Sequence, residues 1–182
     1  MGFLPARTRS RIDLDREFLE DLANSLRRHG VASIATAALT QAAQAEPVDQ
    51  AALIDALRAT LAAVDASPHP DGEWDPAREL LGDELLARVL GISGSSLRRY
   101  AAGDRRTPDE VAWRLHAVAR LLAALVGSYN DYGIRRWFER PRNALGGATP
   151  SEVVESAKSE DDEGLGRLLS LAEELTGAGA AA

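Results

Sequence analysis

Strand-like patterning is almost absent from this sequence. β-Branched residues never alternate with polar ones over a useful length, and alanine, leucine, arginine and glutamate dominate the chain. Apolar residues instead recur three and four positions apart, as at Phe18, Leu22 and Leu26, which is the spacing of one helix face. We therefore predict an all-α fold. A length of 182 residues allows one sizeable domain or two small ones.

Cysteine is missing from the chain, which excludes disulfides and thiolate metal sites and suits a reducing compartment. The N-terminal residues contain no long apolar run of the secretory kind. No window approaches the roughly 20 consecutive apolar residues of a membrane span. We therefore expect a cytoplasmic protein with no membrane partner.

Charge is distributed unevenly along the chain, whose formal net charge is −7. Between Leu86 and Thr107, five arginines accompany a single acidic residue, Asp104. Between Glu152 and Leu175, eight acidic residues accompany two basic ones. The overall charge argues against a general nucleic-acid coat, whereas a basic segment in an acidic protein indicates a local anionic partner.

Residues 1–70 are expected to form a helical N-terminal extension. It is rich in alanine, which favours helix but provides little material for a core, so it packs either on itself or on a second copy. Residues 67–72 are a linker by composition, and helix is expected to restart at Asp75-Pro76. The helices of the extension are predicted near 13–29, 31–45 and 48–66.

Three further segments follow. Residues 71–107 are a helix-turn-helix region, 108–160 a small helical domain, and 161–182 an acidic and Ala/Gly-rich tail. The tail includes an amphipathic stretch at 165–175, while the acidic run after Ser159 is expected to be solvated. The helices before the tail are predicted at 76–81, 83–90, 94–102, 108–126, 131–139 and 150–158.

The helix-turn-helix prediction depends on the residues around a short turn. Gly91 provides the turn, Ile92 plugs the space between the two helices, Ser93 caps the second helix, and Leu97 faces the core. Helical bundles also contain such turns without binding DNA, but the basic segment favours DNA contact. The candidate DNA-binding residues are Ser95, Ser96, Arg98, Arg99, Arg105 and Arg106.

A long helix is expected from position 108. Thr107-Pro108-Asp109-Glu110 has the form of a capping box with proline at the first helical position. The helix has two apolar stripes, which implies burial on both sides, so it is either a central core helix or part of a dimer interface. Arg114 and Arg120 lie outside both stripes. The stripes comprise Val111, Leu115, Val118, Leu122 and Leu125, and Trp113, Ala117, Leu121 and Ala124.

Catalytic and metal-binding patterns are missing. The histidines His29, His69 and His116 are scattered, and His116 is expected on a helix face rather than as a ligand. No nucleophile has a recognisable base, and no glycine-rich phosphate loop follows a strand. We therefore expect no enzymatic activity, no metal and no cofactor.

The segment from Trp137 to Val154 predicts a helix end, a tight loop and a freshly capped helix. Thr149 can cap the second helix, Pro150 fits its first position, and Glu152 lies three residues after the cap. Leu145 is the only residue of the loop suited to a core. It is either a small core plug or an anchor at an interface.

This segment closely resembles the signature of the C-terminal toxin-binding domain of Xre/MbcA/ParS-type antitoxins, P-x-x-A-L-G-G-x-T-P after a tryptophan-containing helix. The matching residues are Pro141, Asn143 to Gly147, Thr149 and Pro150. The preceding helix-turn-helix stands in the family's order, so the resemblance covers about residues 76–158.

The resemblance implies the antitoxin of a type II toxin–antitoxin system. Its partner would be a RES-domain toxin that consumes or transfers part of NAD, occluded at its active site by the C-terminal domain. The antitoxin would also repress its own operon by binding promoter DNA, as a homodimer or larger oligomer. In this chain the toxin contact would fall on Trp137, Phe138, Arg140, Arg142, Asn143, Leu145, Gly146, Gly147 and Thr149, with one of the two aromatic side chains packed inside and the other available as an anchor.

The chain departs from the family pattern at both ends. About 70 residues precede the helix-turn-helix, and an acidic tail follows the last helix of the pattern. The alternative function is a stand-alone transcriptional regulator or adaptor without a toxin. A third hypothesis is a helical oligomerisation module that binds no DNA.

Overall fold

The computed structural model describes residues 16–28, 33–45 and 49–175. These residues form ten α-helices and one short 3₁₀ turn, with no strand among them, which confirms the all-α prediction. The chain divides into two compact units, 1–67 and 68–182. No helix of the described part is long and apolar enough to cross a bilayer.

The first unit is formed by three helices, α1 (Arg16–Arg28), α2 (Ser33–Gln44) and α3 (Gln50–Asp65). Helix α2 packs against both α1 and α3. Asp49 caps α3 by accepting hydrogen bonds from the backbone N–H groups of Ala51 and Ala52. The buried apolar residues described in this unit are Leu19, Ala23, Leu39, Ala43 and Ala56. Three of these five are alanines, so the described part of this core is built largely from small side chains, in keeping with the alanine-rich composition.

The second unit contains seven α-helices within its described residues: α4 (Pro70–Leu81), α5 (Asp83–Val89), α6 (Gly94–Ala101), α7 (Asp109–Val126), α8 (Asp131–Glu139), α9 (Pro150–Ser156) and α10 (Glu163–Leu175). The central helix is α7, which packs against α4 and α10. Both of its apolar stripes are buried or half-buried. Within the chain, α7 is therefore a core helix.

One core joins the segments predicted as 71–107, 108–160 and 161–182. Leu97, Leu115, Phe138, Leu165 and Leu168 are all buried within it. The amphipathic stretch of the tail forms α10 and contributes Leu165 and Leu168, while most of the acidic run that precedes it is exposed. The Ala/Gly residues from 176 onward lie outside the described residues.

Helix α4 begins earlier than the sequence predicted. It starts at Pro70, inside the expected linker, and Pro76 lies within the helix. Trp74, on the turn before Pro76, is only 2% exposed, and its indole N–H donates to the Thr107 hydroxyl at 3.2 Å. Tertiary burial of this turn therefore outweighs the local preference against proline in a helix.

The predicted capping box at Thr107 is wrong. The hydroxyl of Thr107 accepts from Trp74, and α7 begins at Asp109 after Pro108, with no side-chain cap. Arg114 lies outside the two apolar stripes, yet its side chain is only 13% exposed. It donates to the carbonyl oxygen of Ala157 at 3.0 Å, and so joins α7 to the end of α9. A guanidinium head can satisfy an otherwise bare helix-end carbonyl in this way.

His116 has an acidic partner that the sequence did not indicate. Its Nδ1 hydrogen-bonds the carboxylate of Glu73, and both side chains are nearly buried between α4 and α7. No cluster of three or more potential metal-ligating side chains occurs within the described ranges. The pair therefore serves as a contact between two helices of the core.

Candidate functional site

Helices α5 and α6 lie where the sequence predicted the two helices of a helix-turn-helix. Gly91 has φ 66°, and the N–H of Ile92 donates to the carbonyl of Ala87 at 3.0 Å, which ends α5 with a reversal of the chain. The Ser93 hydroxyl caps α6 by accepting from the N–H of Ser96 at 3.1 Å. Leu97 is fully buried, as predicted. The local signals around the turn are thus confirmed.

The outer face of α6 is polar and basic. Ser95, Arg98 and Arg99 are exposed, and their spacing places them on one face of the helix. Neither arginine forms a salt bridge with a residue that the structure describes. Ser96 is half-buried, and its hydroxyl accepts a hydrogen bond from Ser93. The exposed face of α6 therefore has two guanidinium groups without a carboxylate partner among the described residues.

The arginines after α6 differ from each other. Arg105 lies over the ring of Tyr100, at 5.5 Å from its centroid, at the start of the turn into α7. Arg106 pairs with Asp109 at 3.3 Å, with both side chains almost fully exposed. Arg88, also in the basic segment, pairs with Glu139 at 3.2 Å. Within the described residues of the basic segment, three arginines therefore have no carboxylate partner: Arg98 and Arg99 on α6, and Arg105.

The α8–α9 loop, defined here as residues 140–149, is held by its own backbone. The N–H of Arg142 donates to the carbonyl of Ala148 at 3.0 Å, and the N–H of Gly147 donates back to the carbonyl of Arg142 at 2.9 Å. A 3₁₀ turn at Asn143–Leu145 lies between them. Because these bonds cross the base of the loop, its shape is closed without help from other elements.

Gly146 and Gly147 form the open tip of the loop. Their φ angles are 67° and 91°, in the left-handed region that favours glycine. A Cβ placed on either residue would meet no heavy atom within 4 Å. The glycines are therefore required by backbone conformation rather than by crowding inside the chain, and they leave the backbone approachable from outside.

Polar side chains fix the start of α9 and join it to α8. The predicted capping box of α9 is formed, because Glu152 N–H donates to the Thr149 hydroxyl at 3.2 Å and the Glu152 carboxylate accepts from Thr149 N–H at 2.7 Å. The backbone and hydroxyl donors of Thr149 lower the pKa of Glu152. The buried Ser151 hydroxyl donates to the carbonyl of Phe138 at 2.8 Å, which joins α8 to α9. Ser151 was not among the predicted site residues, although serine just after a Thr-Pro helix start is a recognisable signal.

The expectation of an exposed aromatic anchor is wrong. Trp137 is 2% exposed and Phe138 is fully buried, with their rings edge to face at 5.3 Å between centroids. Helix α8 contacts α4, α7 and α9, so neighbouring side chains on two sides of it both enter the core. The Nε of Arg135 also donates to the carbonyl of Leu80 at 2.7 Å, which fixes α8 against the end of α4.

The remaining predicted toxin-contact residues are divided by exposure. Thr149, which caps α9, is half-buried. Four of the other residues are exposed, namely Arg140, Asn143, Gly146 and Gly147. Leu145 is half-buried against the core, near α10, as a plug would be.

Arg142 is unusual among the loop residues. Its guanidinium carbon lies 4.6 Å from the centroid of the Trp137 ring. Its Nε and the indole nitrogen of Trp137 are both buried with no hydrogen-bond partner among the described residues. Burial lowers the pKa of Arg142, nearby Tyr129 opposes this effect, and the like charge of Arg140 adds to it. Two buried donors thus lie side by side at the base of the loop.

Comparison of the chain with models of known families, with curated proteins and with solved structures finds no match.

Proposed function

We propose that this chain is the antitoxin of a type II toxin–antitoxin pair, which neutralises an NAD-consuming RES-domain toxin by direct binding. The observation that supports this most is the α8–α9 loop. Its backbone closes on itself, its glycine tip is open, Thr149 caps the helix that follows it, and Ser151 joins that helix to the end of α8. A preformed loop of this kind enters a concave enzyme mouth with little ordering cost.

Occlusion follows from shape in this proposal. The open backbone at Gly146 and Gly147 approaches the toxin closely, and exposed Arg140 and Asn143 flank it. Since both aromatic side chains are buried, the contact is made by backbone and polar groups rather than by an aromatic anchor. The toxin then loses access to NAD because the loop occupies the entrance of its active site.

Autoregulation is the second part of the proposal. The exposed guanidinium groups of Arg98 and Arg99 on α6, with Arg105 behind them, support contact with promoter phosphates and base edges. Asp104 is the only acidic residue between Leu86 and Thr107, the segment of the sequence that contains these arginines. DNA binding is therefore local and sensitive to salt.

A stand-alone transcriptional regulator remains the second candidate. The burial of both Trp137 and Phe138 favours it, because a loop without an apolar anchor has fewer means to hold a protein partner tightly. Under this alternative, α6 binds DNA and the α8–α9 loop is only a structural connection.

Co-expression separates the two candidates. The adjacent open reading frame is expressed alone and together with this chain, and growth is measured. The proposal expects that the neighbour arrests growth alone and that this chain restores growth, including as the Arg98→Ala/Arg99→Ala variant, because neutralisation does not require DNA. A neighbour that is harmless alone, or whose toxicity this chain does not relieve, contradicts the antitoxin and favours the regulator.

A further inference from the structure

Arg142 is half-buried and held in place, but it has no carboxylate partner among the described residues. Its guanidinium lies over Trp137 at 4.6 Å from the ring centroid, in a stacking geometry that fixes the head group. No described carboxylate forms a salt bridge with it. The groups that act on its charge are Tyr129 and Arg140, and the latter is a like charge.

The same place contains two unsatisfied donors. Nε of Arg142 and Nε1 of Trp137 are both buried and have no acceptor among the described residues. Buried N–H groups are nearly always paired in folded proteins, and these two unpaired donors belong to one stacked pair of side chains, which an acceptor from outside the chain would satisfy. Partial burial also disfavours the charged form of the guanidinium in the free protein, and so lowers its pKa. A bound anion would stabilise the charged form.

A single carboxylate fits this position better than a phosphate. The arginine head group matches a carboxylate through two parallel N–H···O bonds. Ala144, two residues from Arg142, borders a surface that also contains Glu160, Asp161, Asp162 and Glu163; these carboxylates repel any anion, and they repel a doubly charged phosphate more strongly than a singly charged carboxylate. The open glycines next to Arg142 allow the backbone of another protein to come close enough to deliver its side chain.

We propose that Arg142, held on Trp137, is the receptor for one aspartate or glutamate side chain of the protein that the α8–α9 loop binds. This inference rests on the proposed function, since it names the chemistry of the partner at the same loop. The bound carboxylate satisfies the guanidinium, and the contact becomes desolvated when the loop is covered.

The first test measures affinity for the purified product of the adjacent gene by calorimetry. Arg142→Gln is expected to weaken binding by about thirtyfold or more, because one member of a buried charge pair is removed. Arg142→Lys keeps the charge but loses the fork, and is expected to weaken binding by about tenfold. The matched control Arg167→Gln removes an exposed charge on α10, outside the α8–α9 loop, where Arg167 pairs with Glu163 of its own helix, and is expected to change affinity by less than about threefold. A folded Arg142→Lys variant that binds as tightly as the wild type overturns the inference.

The second test uses the wild-type chain alone and so does not depend on the partner or on the folding of a variant. The side-chain N–H signals of Arg142, Arg140 and Trp137 are followed by NMR during additions of sodium acetate, sodium phosphate or sodium chloride at equal ionic strength. Acetate is expected to shift the Arg142 and Trp137 signals more than chloride does, and to shift Arg142 more than Arg140. Equal shifts in acetate and chloride overturn the carboxylate site, and a stronger response to phosphate overturns the choice of carboxylate.

The two failures are distinguishable. If the wild type does not bind the neighbouring gene product, the proposed function fails, and the NMR titration alone decides whether Arg142 receives a carboxylate. If the wild type binds and the Arg142 variants bind equally well, the proposed function stands and the inference fails.

Discussion

Replacing Ser151 with alanine should destabilise the second unit and loosen the α8–α9 loop. The buried Ser151 hydroxyl donates to the carbonyl of Phe138 at 2.8 Å. Phe138 lies in the last turn of α8, where carbonyls have no partner inside the helix. Without the hydroxyl, this carbonyl stays buried and loses its donor.

The size of the effect depends on the buried carbonyl and on helix propensity. Leaving a buried acceptor unsatisfied costs about 1–3 kcal/mol, and the better helix propensity of alanine returns a few tenths of a kcal/mol. We therefore expect a net decrease of about 1–2 kcal/mol in the free energy of unfolding. For a unit of this size that corresponds to a melting temperature lower by about 4–8 °C.

Tryptophan fluorescence during urea unfolding is the suitable assay. The chain has 3 tryptophans, and Trp74, Trp113 and Trp137 all belong to the second unit, so the signal does not mix the two units. Ser156→Ala is the matched control, because Ser156 is exposed and its hydroxyl only contacts Val153 of its own helix. If Ser151→Ala and Ser156→Ala unfold at the same urea concentration, the hydrogen bond does not hold the loop as argued.

Three other predictions concern DNA binding, pH dependence and assembly. Arg98→Ala/Arg99→Ala should weaken promoter binding and reduce the log–log salt slope by about 0.9 for each phosphate that is no longer neutralised; an unchanged slope in fluorescence anisotropy contradicts the role of α6. The hydrogen bond from Arg78, at 2.8 Å, lowers the pKa of Asp83 from its ordinary value of 3.8, so its stabilising effect is complete above that value and disappears as pH falls through the lower folded pKa. Asp83→Asn should accordingly flatten the fall in stability below about pH 4, and parallel curves for variant and wild type refute this. Light scattering should give a dimer for the full chain and a monomer for 68–182, because α7 is covered within its own unit while α3 exposes Ile54 and Leu61; a monomeric full chain contradicts it.

Local signals predicted the helices well. The bounds of α8 match the prediction, and the caps at Ser93 and Thr149 form as the sequence indicated. Each cap depends on residues within three positions of each other, so the sequence contains all the information needed. The same holds for the turn at Gly91, where one residue must adopt a positive φ.

The differences from the sequence-based predictions arise where a residue far along the chain determines which contact a side chain makes. Thr107 has the correct spacing for a cap, but its hydroxyl is used by Trp74, 33 positions earlier. The side chain of Arg114 is mostly buried because it donates to the carbonyl of Ala157, 43 positions later. Helical periodicity also suggested that only one of Trp137 and Phe138 could be buried, whereas α8 is covered on more than one side. Such outcomes follow from tertiary packing, which spacing along one helix does not reveal.

The stacking of Arg142 on Trp137 was equally hidden. The sequence placed both residues in the same candidate contact, but as an exposed charge and a potential anchor. In the structure the tryptophan is the buried support of the arginine, and one side-chain N–H of each has no acceptor among the described residues. Charge reversal at Arg142 should therefore lower the stability of the protein as well as its binding. Charge reversal at exposed Arg140 should leave stability nearly unchanged.

An NAD-consumption assay with purified proteins tests the proposed neutralisation without the complications of a growing cell. The product of the adjacent gene is incubated with NAD, and this chain is added in increasing amounts while the remaining NAD is measured. We predict that NAD consumption stops when the two proteins are equimolar, both for the wild type and for Arg98→Ala/Arg99→Ala. Continued NAD consumption in the presence of excess wild-type chain would contradict the proposal that the α8–α9 loop occludes a toxin.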